Sequence, residues 1–328
     1  MIKIIFYGFR HGHVNTLYRQ AQESPLITVA GCVEEHAQAR AKAEQTLGAV
    51  FSDVPYAEWL TRDVDAVVIG GAYGDRGAAI IRALEAGKHV ISDKPICTTR
   101  QELDRIRALT REKGLKLGCM LDLRYLPQTL AAKKILDSGE LGQVRNVAFN
   151  GQHCINYGSR PGWYFEPGKH GGTINDLSIH GVDLVRMLTG MEFTQIDAAR
   201  TWNAYADRHP DFKDCATLMA RLENGAGVLA DISYSAPTQA FSMPSYWEFR
   251  VWCQRGMLSF HYTDSTVTVY VDGEEQPRMI PGIPPRQNYL DEWIAEIEND
   301  GYAITDNVLR SSEVALRLQE VADREVAL

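Results

Sequence analysis

The chain has 328 residues, of which 45% are hydrophobic and 23% charged, so it is long enough for two ordinary soluble domains. Its net charge of -8 argues against a nucleic-acid partner, because nucleic acids are bound by basic surfaces. No apolar run approaches the ~20 residues of a membrane span, and the six cysteines are scattered without a metal-binding spacing. We therefore expect a cytoplasmic protein with reduced thiols, no membrane partner and no metal site.

The first predicted element is a strand over 2–7, followed by a glycine-containing turn and a helix. That order is typical of dinucleotide-binding domains, where the amides at a helix start face a pyrophosphate. The pattern is incomplete, because a full G-x-G-x-x-G motif would carry glycine in place of Arg10 and His13. Arg10 could contact a phosphate instead, and an ordinary strand-to-helix turn is the alternative. The predicted cofactor-binding residues of this turn are Gly8, Phe9, Arg10, His11, Gly12 and His13.

A second predicted strand, over 27–33, ends at an acidic pair. Glu34 comes first after the strand, where a carboxylate would hold a ribose 2′-hydroxyl and repel a 2′-phosphate. NAD is therefore the expected cofactor, with NADP kept open. The alternative is an acidic residue that interacts with the dipole at the start of the next helix.

Strands and helices then alternate as far as residue 121, which predicts a parallel, doubly wound sheet. Ligands of such sheets bind at the carboxyl ends of the strands. Gly70 and Gly71 end one predicted strand, Asp93 and Lys94 follow another, and all four are expected at the cofactor. Lys94 can hydrogen-bond a substrate hydroxyl, and a solvated loop lysine is the alternative. The predicted strands are 49–51, 63–71, 89–92 and 115–121, and the helices are 36–47, 78–86 and 99–113.

The second half is organised around a helix predicted from about Thr173. Asp176, His180 and Asp183 have spacings of four and three residues, so they share a helix face. A carboxylate beside an imidazole suits a base that transfers protons near neutral pH. A capped helix with a surface histidine–aspartate pair is the alternative.

A loop before this helix mixes aromatic and polar side chains, which suits a carbohydrate ligand. Substrate specificity is expected to rest on residues 151–170 and 236–246. Strand-like segments between 195 and 271 predict a mostly antiparallel sheet, with one face available for a homo-oligomer, a dimer or tetramer. A proline-rich loop over 276–285 and helices over 289–298 and 308–323 follow. The predicted substrate-binding residues are Lys94, Arg124, Tyr157, Arg160, Trp163, Asp176 and His180.

Over nearly its whole length the chain resembles the Gfo/Idh/MocA oxidoreductases, the group of glucose–fructose oxidoreductase and inositol dehydrogenase. Residues 83–90 followed by Asp93-Lys94-Pro95 are similar to the family's A-L-x-A-G-K-H-V…E-K-P signature, with Asp for Glu. Gly171-Gly172, with the Asp and His residues that follow, is similar to its G-G-x-x-x-D-x-x-x-H-x-x-D signature. Residues 138–142 resemble its S-G-x-L-G.

The resemblance implies an α/β Rossmann-like doubly wound parallel sheet over 1–122, followed by an α+β domain over 123–328 with a large, mostly antiparallel open sheet. It implies that Lys94 contacts the substrate hydroxyl and the nicotinamide ribose, that His180 is the general acid/base, and that Asp176 orients the substrate. The implied activity is NAD(P)-dependent hydride transfer to or from a secondary alcohol of a sugar or cyclitol. Two alternatives stay open: a redox-neutral lyase, epimerase or glycoside-cleaving enzyme, and a non-catalytic ligand sensor.

Overall fold

The computed structural model describes residues 1–237 and 242–324, which form two compact units. The first unit comprises Met1–Met120, Pro161–Gly171 and Gln287–Glu313, and the second comprises Leu121–Arg160, Gly172–Arg286 and the chain from Val314 on. The predicted domains, 1–122 and 123–328, are contiguous, so the prediction places Pro161–Gly171 and Gln287–Glu313 in the second domain. Residues 325–328 of the predicted second domain lie outside the described residues.

The first unit contains a five-stranded parallel sheet in the order β2-β1-β3-β4-β5, as the alternating pattern predicts. Its strands are β1 Ile2–Tyr7, β2 Ile27–Val33, β3 Ala66–Ile69, β4 His89–Ser92 and β5 Leu117–Cys119. The strand predicted over 49–51 is wrong: Phe51 forms a single parallel bridge to Cys32. Val50 is 81% exposed, so this segment lacks the two-sided burial of the strands inside the sheet.

Helices alternate with these strands. They are α1 Val14–Glu23, α2 Ala37–Leu47, α3 Tyr56–Trp59, α4 Tyr73–Glu85 and α5 Arg100–Glu112. The prediction placed the start of α4 at residue 78, five residues too late; the first turns of the helix contain Gly74 and Gly77, and glycine has a low helix propensity. Both glycines lie within the helix, where other parts of the first unit approach its backbone closely. A Cβ on Gly74 would lie 2.0 Å from the Gly168 carbonyl oxygen, and one on Gly77 would lie 2.3 Å from the Glu102 carboxyl carbon.

The second unit contains an eight-stranded sheet in the order β13-β12-β11-β10-β6-β9-β8-β7, antiparallel throughout except for the parallel pair β6 and β9. Its strands are β6 Val144–Gln152, β7 Phe193–Trp202, β8 Cys215–Leu222, β9 Gly227–Ser233, β10 Glu248–Cys253, β11 Gly256–His261, β12 Thr266–Val271 and β13 Arg278–Pro281. The last strand lies inside the segment that was predicted to be a proline-rich loop. Pro281 ends this edge strand, a position where a missing amide hydrogen is tolerated.

Two helices of the second unit, α6 Pro127–Asp137 and α7 Ile179–Thr189, pack on its sheet. A Cβ on Gly181 of α7 would lie 2.1 Å from the Phe149 ring of β6, so glycine allows this close approach. The helices α8 Tyr289–Glu298 and α9 Ala303–Ala322 follow the sheet. None of the helices in the described ranges combines the length and apolar character that crossing a membrane needs.

Candidate active site

The glycine turn of the first unit is built where β1 and β3 end side by side. Gly8 has a φ of 88°, and a Cβ there would lie 2.5 Å from the Gly71 nitrogen. A Cβ on Gly70 would lie 2.5 Å from the Gly8 carbonyl oxygen. The two turns therefore touch backbone to backbone, which only glycine permits. Gly8 and Gly70 are buried by this contact, whereas Gly71 is partly exposed at the carboxyl edge of the parallel sheet.

Glu34 ties the end of β2 to the glycine turn. Its Oε2 accepts a hydrogen bond of 2.5 Å from the Phe9 amide, and its Oε1 accepts one of 2.7 Å from the His36 amide. The side chain is buried and lines a cavity of about 500 Å³. Arg10 and Arg82 supply positive charge to the same cavity.

The Arg10 backbone is held by a residue of Pro161–Gly171, the later segment of the chain that belongs to the first unit. Trp163 is buried and donates its indole N–H to the Arg10 carbonyl oxygen at 3.2 Å. The Arg10 guanidinium lies 3.8 Å from the Asp75 carboxylate, which also binds Lys169 at 2.5 Å. Trp163 was predicted to contact substrate. In the structure its indole N–H holds the backbone of the glycine turn.

Asp93, the residue before Lys94, is a fully buried carboxylate with three partners. Arg76 donates to its Oδ2 at 2.7 Å, His11 Nδ1 lies 2.5 Å from the same oxygen, and His13 Nδ1 lies 3.3 Å from Oδ1. Burial alone would raise the pKa of Asp93, but the Arg76 guanidinium and the two imidazoles hold it well below its usual range. The carboxylate is therefore ionised at neutral pH.

His11 connects Asp93 to two tyrosines. Burial lowers the pKa of His11 to about 3, so the ring is neutral at pH 7. Since Asp93 is an acceptor, Nδ1 of His11 carries the proton and Nε2 accepts from the Tyr73 hydroxyl at 3.1 Å. The Tyr73 and Tyr164 hydroxyls are 2.6 Å apart.

The Lys94 backbone is fixed by the same arginine. Arg76 donates to the Lys94 carbonyl oxygen at 2.5 Å and to the Pro95 carbonyl oxygen at 3.2 Å, and the Lys94–Pro95 peptide bond is cis. The Lys94 side chain is 3% exposed, with its Nζ 5.8 Å from the Tyr73 ring centroid. The lysine is a buried, positioned group and not the solvated loop residue of the alternative interpretation.

The Asp/His segment of the second unit is not one regular helix. A π-helical turn over Ile174–Ser178 precedes α7, and both predicted site residues on this segment are buried. π-Helical turns inside helices frequently occur at functional sites. Asp176 lies in the π-helical turn, whereas His180 and Asp183 lie three residues apart in the regular helix α7.

Each acidic residue of this segment has a partner that the sequence pattern did not predict. Asp176 accepts a hydrogen bond from the Tyr234 hydroxyl, and Asp183 forms an ion pair of 2.9 Å with Arg124 Nε. His180 Nδ1 lies 3.8 Å from Asp122 Oδ1, and its ring meets the Trp247 ring edge-on at 5.5 Å. Asp122 thus places a carboxylate near the His180 imidazole.

The other predicted substrate residues have partners within the second unit. Arg160 donates to the Ile155 carbonyl oxygen at 2.8 Å and to the Cys154 carbonyl oxygen, and its guanidinium lies 4.9 Å from the Tyr234 ring centroid. Tyr157 lies under the Arg208 guanidinium at 4.8 Å. Part of the predicted specificity segment 236–246, namely 238–241, lies outside the described residues.

Two family models match this chain and together cover more than half of it. Residues 4–120 match "Oxidoreductase family, NAD-binding Rossmann fold", and residues 129–259 match "GFO/IDH/MocA C-terminal domain". The chain belongs to the Gfo/Idh/MocA family. The resemblance drawn from the two signatures is thereby confirmed, as is the predicted pair of sheets.

Curated members of the Gfo/Idh/MocA family match over part of their length. Inositol 2-dehydrogenase 2 of Saccharopolyspora erythraea is 28% identical over 67% of this chain and 61% of its own length. Levoglucosan dehydrogenase of Pseudarthrobacter phenanthrenivorans is 30% identical over 37% of this chain and 32% of its own length. The chain thus spans less than two thirds of these relatives.

Solved structures of family members share the fold along the whole chain. Aldose-aldose oxidoreductase of Caulobacter crescentus, complexed with glycerol, has a TM-score of 0.81 at 21% identity, covering 100% of this chain and 99% of its own. A levoglucosan dehydrogenase complexed with NADH also has a TM-score of 0.81, at 18% identity, covering 98% and 96%. At these identities the likeness concerns the fold alone.

Proposed function

We propose that the chain is a nicotinamide-dependent oxidoreductase acting on a secondary alcohol, or the corresponding ketone, of a sugar, cyclitol or sugar derivative. The observation that carries this proposal is the buried turn at Lys94. Asp93 and Arg76 fix its backbone at the carboxyl edge of the parallel sheet, next to the glycine turn. The names of the curated relatives, an inositol and a levoglucosan dehydrogenase, favour the same substrate class.

The residues of the first unit fit a dinucleotide. Gly8 and Gly70 are buried where the two turns touch, and Gly71 beside them is partly exposed. A pyrophosphate can approach at Gly71, and the amides at the start of α1 favour its negative charge. We assign Glu34 to the adenosine ribose, because its carboxylate lines the adjoining cavity. A carboxylate there disfavours a 2′-phosphate, so we propose NAD and not NADP.

When bound, the nicotinamide ring supplies the hydride acceptor or donor, and the protein supplies orientation and proton transfer. We assign His180 Nε2 as the base that takes the hydroxyl proton during oxidation and returns it during reduction. Its Nδ1 lies toward Asp122, whose negative charge favours the imidazolium that proton transfer creates. Asp176, held by Tyr234, orients the substrate.

We assign Lys94 to the reacting oxygen. Its ammonium can donate a hydrogen bond to the substrate hydroxyl and stabilise the negative charge that develops as the proton leaves. Because its backbone is held by Arg76, little reorganisation is needed at the moment of reaction. Pre-positioned charge of this kind is usually the largest electrostatic contribution to catalysis.

The test is an oxidation assay with NAD and a panel of cyclitols and aldoses. We expect at least one substrate for which ketone and NADH form in equal amounts, and loss of both in a Lys94→Met variant. Product that forms without NADH would overturn net oxidation in favour of the redox-neutral alternative. NADH binding without turnover of any panel member would favour the sensor.

We also propose that the second unit forms a homo-oligomer through the outer face of its sheet. Met219 of β8 and Leu229 of β9 are paired across the strands and are 41% and 44% exposed. They line a shallow concavity of about 510 Å³. Exposed apolar side chains that cluster on a sheet face indicate a protein interface.

Sedimentation tests this interface. We expect the wild-type chain to sediment as a dimer or tetramer and Leu229→Glu to sediment at a lower mass, because a buried carboxylate at an interface is costly. Val50→Glu is the matched control, since Val50 is an exposed apolar residue of the first unit. A wild-type monomer at micromolar concentration, or an unchanged mass for Leu229→Glu, would exclude this face.

A further inference from the structure

Three side chains with metal-ligating atoms converge in the first unit. His11 and His13 are two residues apart in the glycine turn, and Asp93 follows β4. Their donor atoms all lie within 4.8 Å of one another. His13 Nδ1 is 3.3 Å from Asp93 Oδ1, which is about the separation of two ligands at 2.0–2.1 Å in a tetrahedral zinc site.

The surroundings orient two of these ligands as metal sites usually require. A ligating histidine normally donates its other ring N–H to a fixed acceptor, and ligating carboxylates are themselves hydrogen-bonded. His11 Nε2 lies 3.1 Å from the Tyr73 hydroxyl, and Arg76 donates to Asp93 Oδ2 at 2.7 Å. Tyr73 is in turn 2.6 Å from the Tyr164 hydroxyl, so it can accept from His11 while donating to Tyr164.

We propose that His11, His13 and Asp93 bind one divalent transition-metal ion of borderline softness, such as Zn²⁺ or Co²⁺. Two imidazoles and one carboxylate suit these ions better than Mg²⁺ or Ca²⁺, which prefer oxygen ligands alone. The ion takes the place of the proton between His11 Nδ1 and Asp93, and the neutral ring then carries its proton on Nε2, which donates to the Tyr73 hydroxyl. His11 Nδ1 and Asp93 Oδ2, 2.5 Å apart, must separate by about 0.8 Å to become two ligands of one ion.

The exposure of His13 and the charge of Arg76 determine how an ion can enter and which further ligand it would take. The His13 side chain is 42% exposed, so an ion can enter beside it although Asp93 is fully buried. Arg76 already balances the charge of Asp93, so the ion adds two positive charges. We therefore expect an anionic oxygen, from hydroxide or a phosphate, in the remaining coordination position.

Binding would join the glycine turn to the Lys94 turn through one ion, a role that goes beyond the proposed dehydrogenase and does not depend on it. The site can therefore be tested by binding alone, without a substrate. Failure of the metal site would leave the assignment of Lys94 and His180 untouched.

The experiment uses the tag-free full chain, stripped with a chelator and dialysed against Co²⁺. We expect one Co²⁺ per chain, a visible absorption spectrum of a nitrogen- and oxygen-ligated ion, and a Tm raised by about 5 °C at 100-fold excess over Kd. In His13→Gln the affinity is expected to fall by at least about 100-fold. His13 is the safest ligand to replace because it is half-exposed.

His261→Gln is the matched control. His261 also pairs with an aspartate, Asp264, at 2.8 Å, but it lies in the second unit. Unaltered affinity in His13→Gln, equal loss in His261→Gln, or no bound Co²⁺ in the wild type would overturn the proposal. A thiolate-to-cobalt absorption band would also overturn it, since the ion would then be held by cysteine.

Discussion

His180→Ala is expected to lower kcat by ~10²–10⁴-fold, with NADH affinity unchanged. The reason is that a positioned acid or base contributes rate of this size by transferring a proton in the transition state. His180 is buried beside Trp247 in the second unit, whereas the proposed dinucleotide residues belong to the first. Steady-state kinetics and an NADH titration on the same preparation separate the two effects.

Two further variants make the His180 result decisive. His261→Ala removes another histidine paired with an aspartate in the same unit and is expected to keep wild-type kcat. His180→Gln keeps a side chain of similar size, so a loss in kcat that it shares with His180→Ala cannot come from a cavity. Wild-type turnover in His180→Gln would contradict the role of acid and base.

Arg76→Met is expected to lower the free energy of unfolding by about 3–5 kcal/mol. The guanidinium and the Asp93 carboxylate are both fully buried and 2.7 Å apart, so removing one leaves an uncompensated charge in the interior. The same guanidinium also binds the carbonyl oxygens of Gly71, Lys94 and Pro95. Denaturant unfolding of the variant measures the loss.

The control is an exposed pair of similar geometry. Arg62 lies 2.7 Å from Glu58 and is 40% exposed, so Arg62→Met is expected to cost about 0.5 kcal/mol or less. Adding Asp93→Asn to Arg76→Met should recover part of the loss, because the unpaired charge is removed. Equal stability of the Arg62 and Arg76 variants would show that the buried ion pair does not hold the turn.

Local sequence patterns predicted the features whose causes are local. The glycine turn, the acid that ends β2 and the lysine turn after β4 each follow a strand along the chain, and a parallel sheet brings strand ends together. The two sheets follow in the same way from the spacing of apolar residues. The resemblance in the two signatures added the family, which the family models confirm.

The features that sequence did not predict depend on residues far apart in the chain. Arg76 and Asp93 are 17 residues apart, and Trp163 binds the Arg10 carbonyl oxygen across 153 residues. Arg76 precedes residue 78, where the helix was predicted to begin, so no predicted element pointed to it.

In the second unit, too, helical periodicity did not predict the partners of the site residues. Regular helical spacing groups Asp176 and Asp183 with His180, but it predicts neither the π-helical turn nor the partners Tyr234 and Arg124 of these carboxylates. Asp122 precedes the helix by more than 50 residues, so no local pattern links it to the histidine. The H-x-H spacing of the glycine turn was available in the sequence, but only the position of Asp93 shows what it could bind.

The most direct test of the nicotinamide assignment is a fluorescence titration of the purified chain with NADH and then with NADPH. The chain has six tryptophans, and Trp163 contacts the glycine turn itself, so energy transfer to a bound reduced nicotinamide is a practical signal. We predict saturable transfer with NADH at a lower Kd than with NADPH, and loss of that preference in Glu34→Gln. Tighter binding of NADPH would contradict the ribose role of Glu34, and binding of neither would contradict the proposed oxidoreductase.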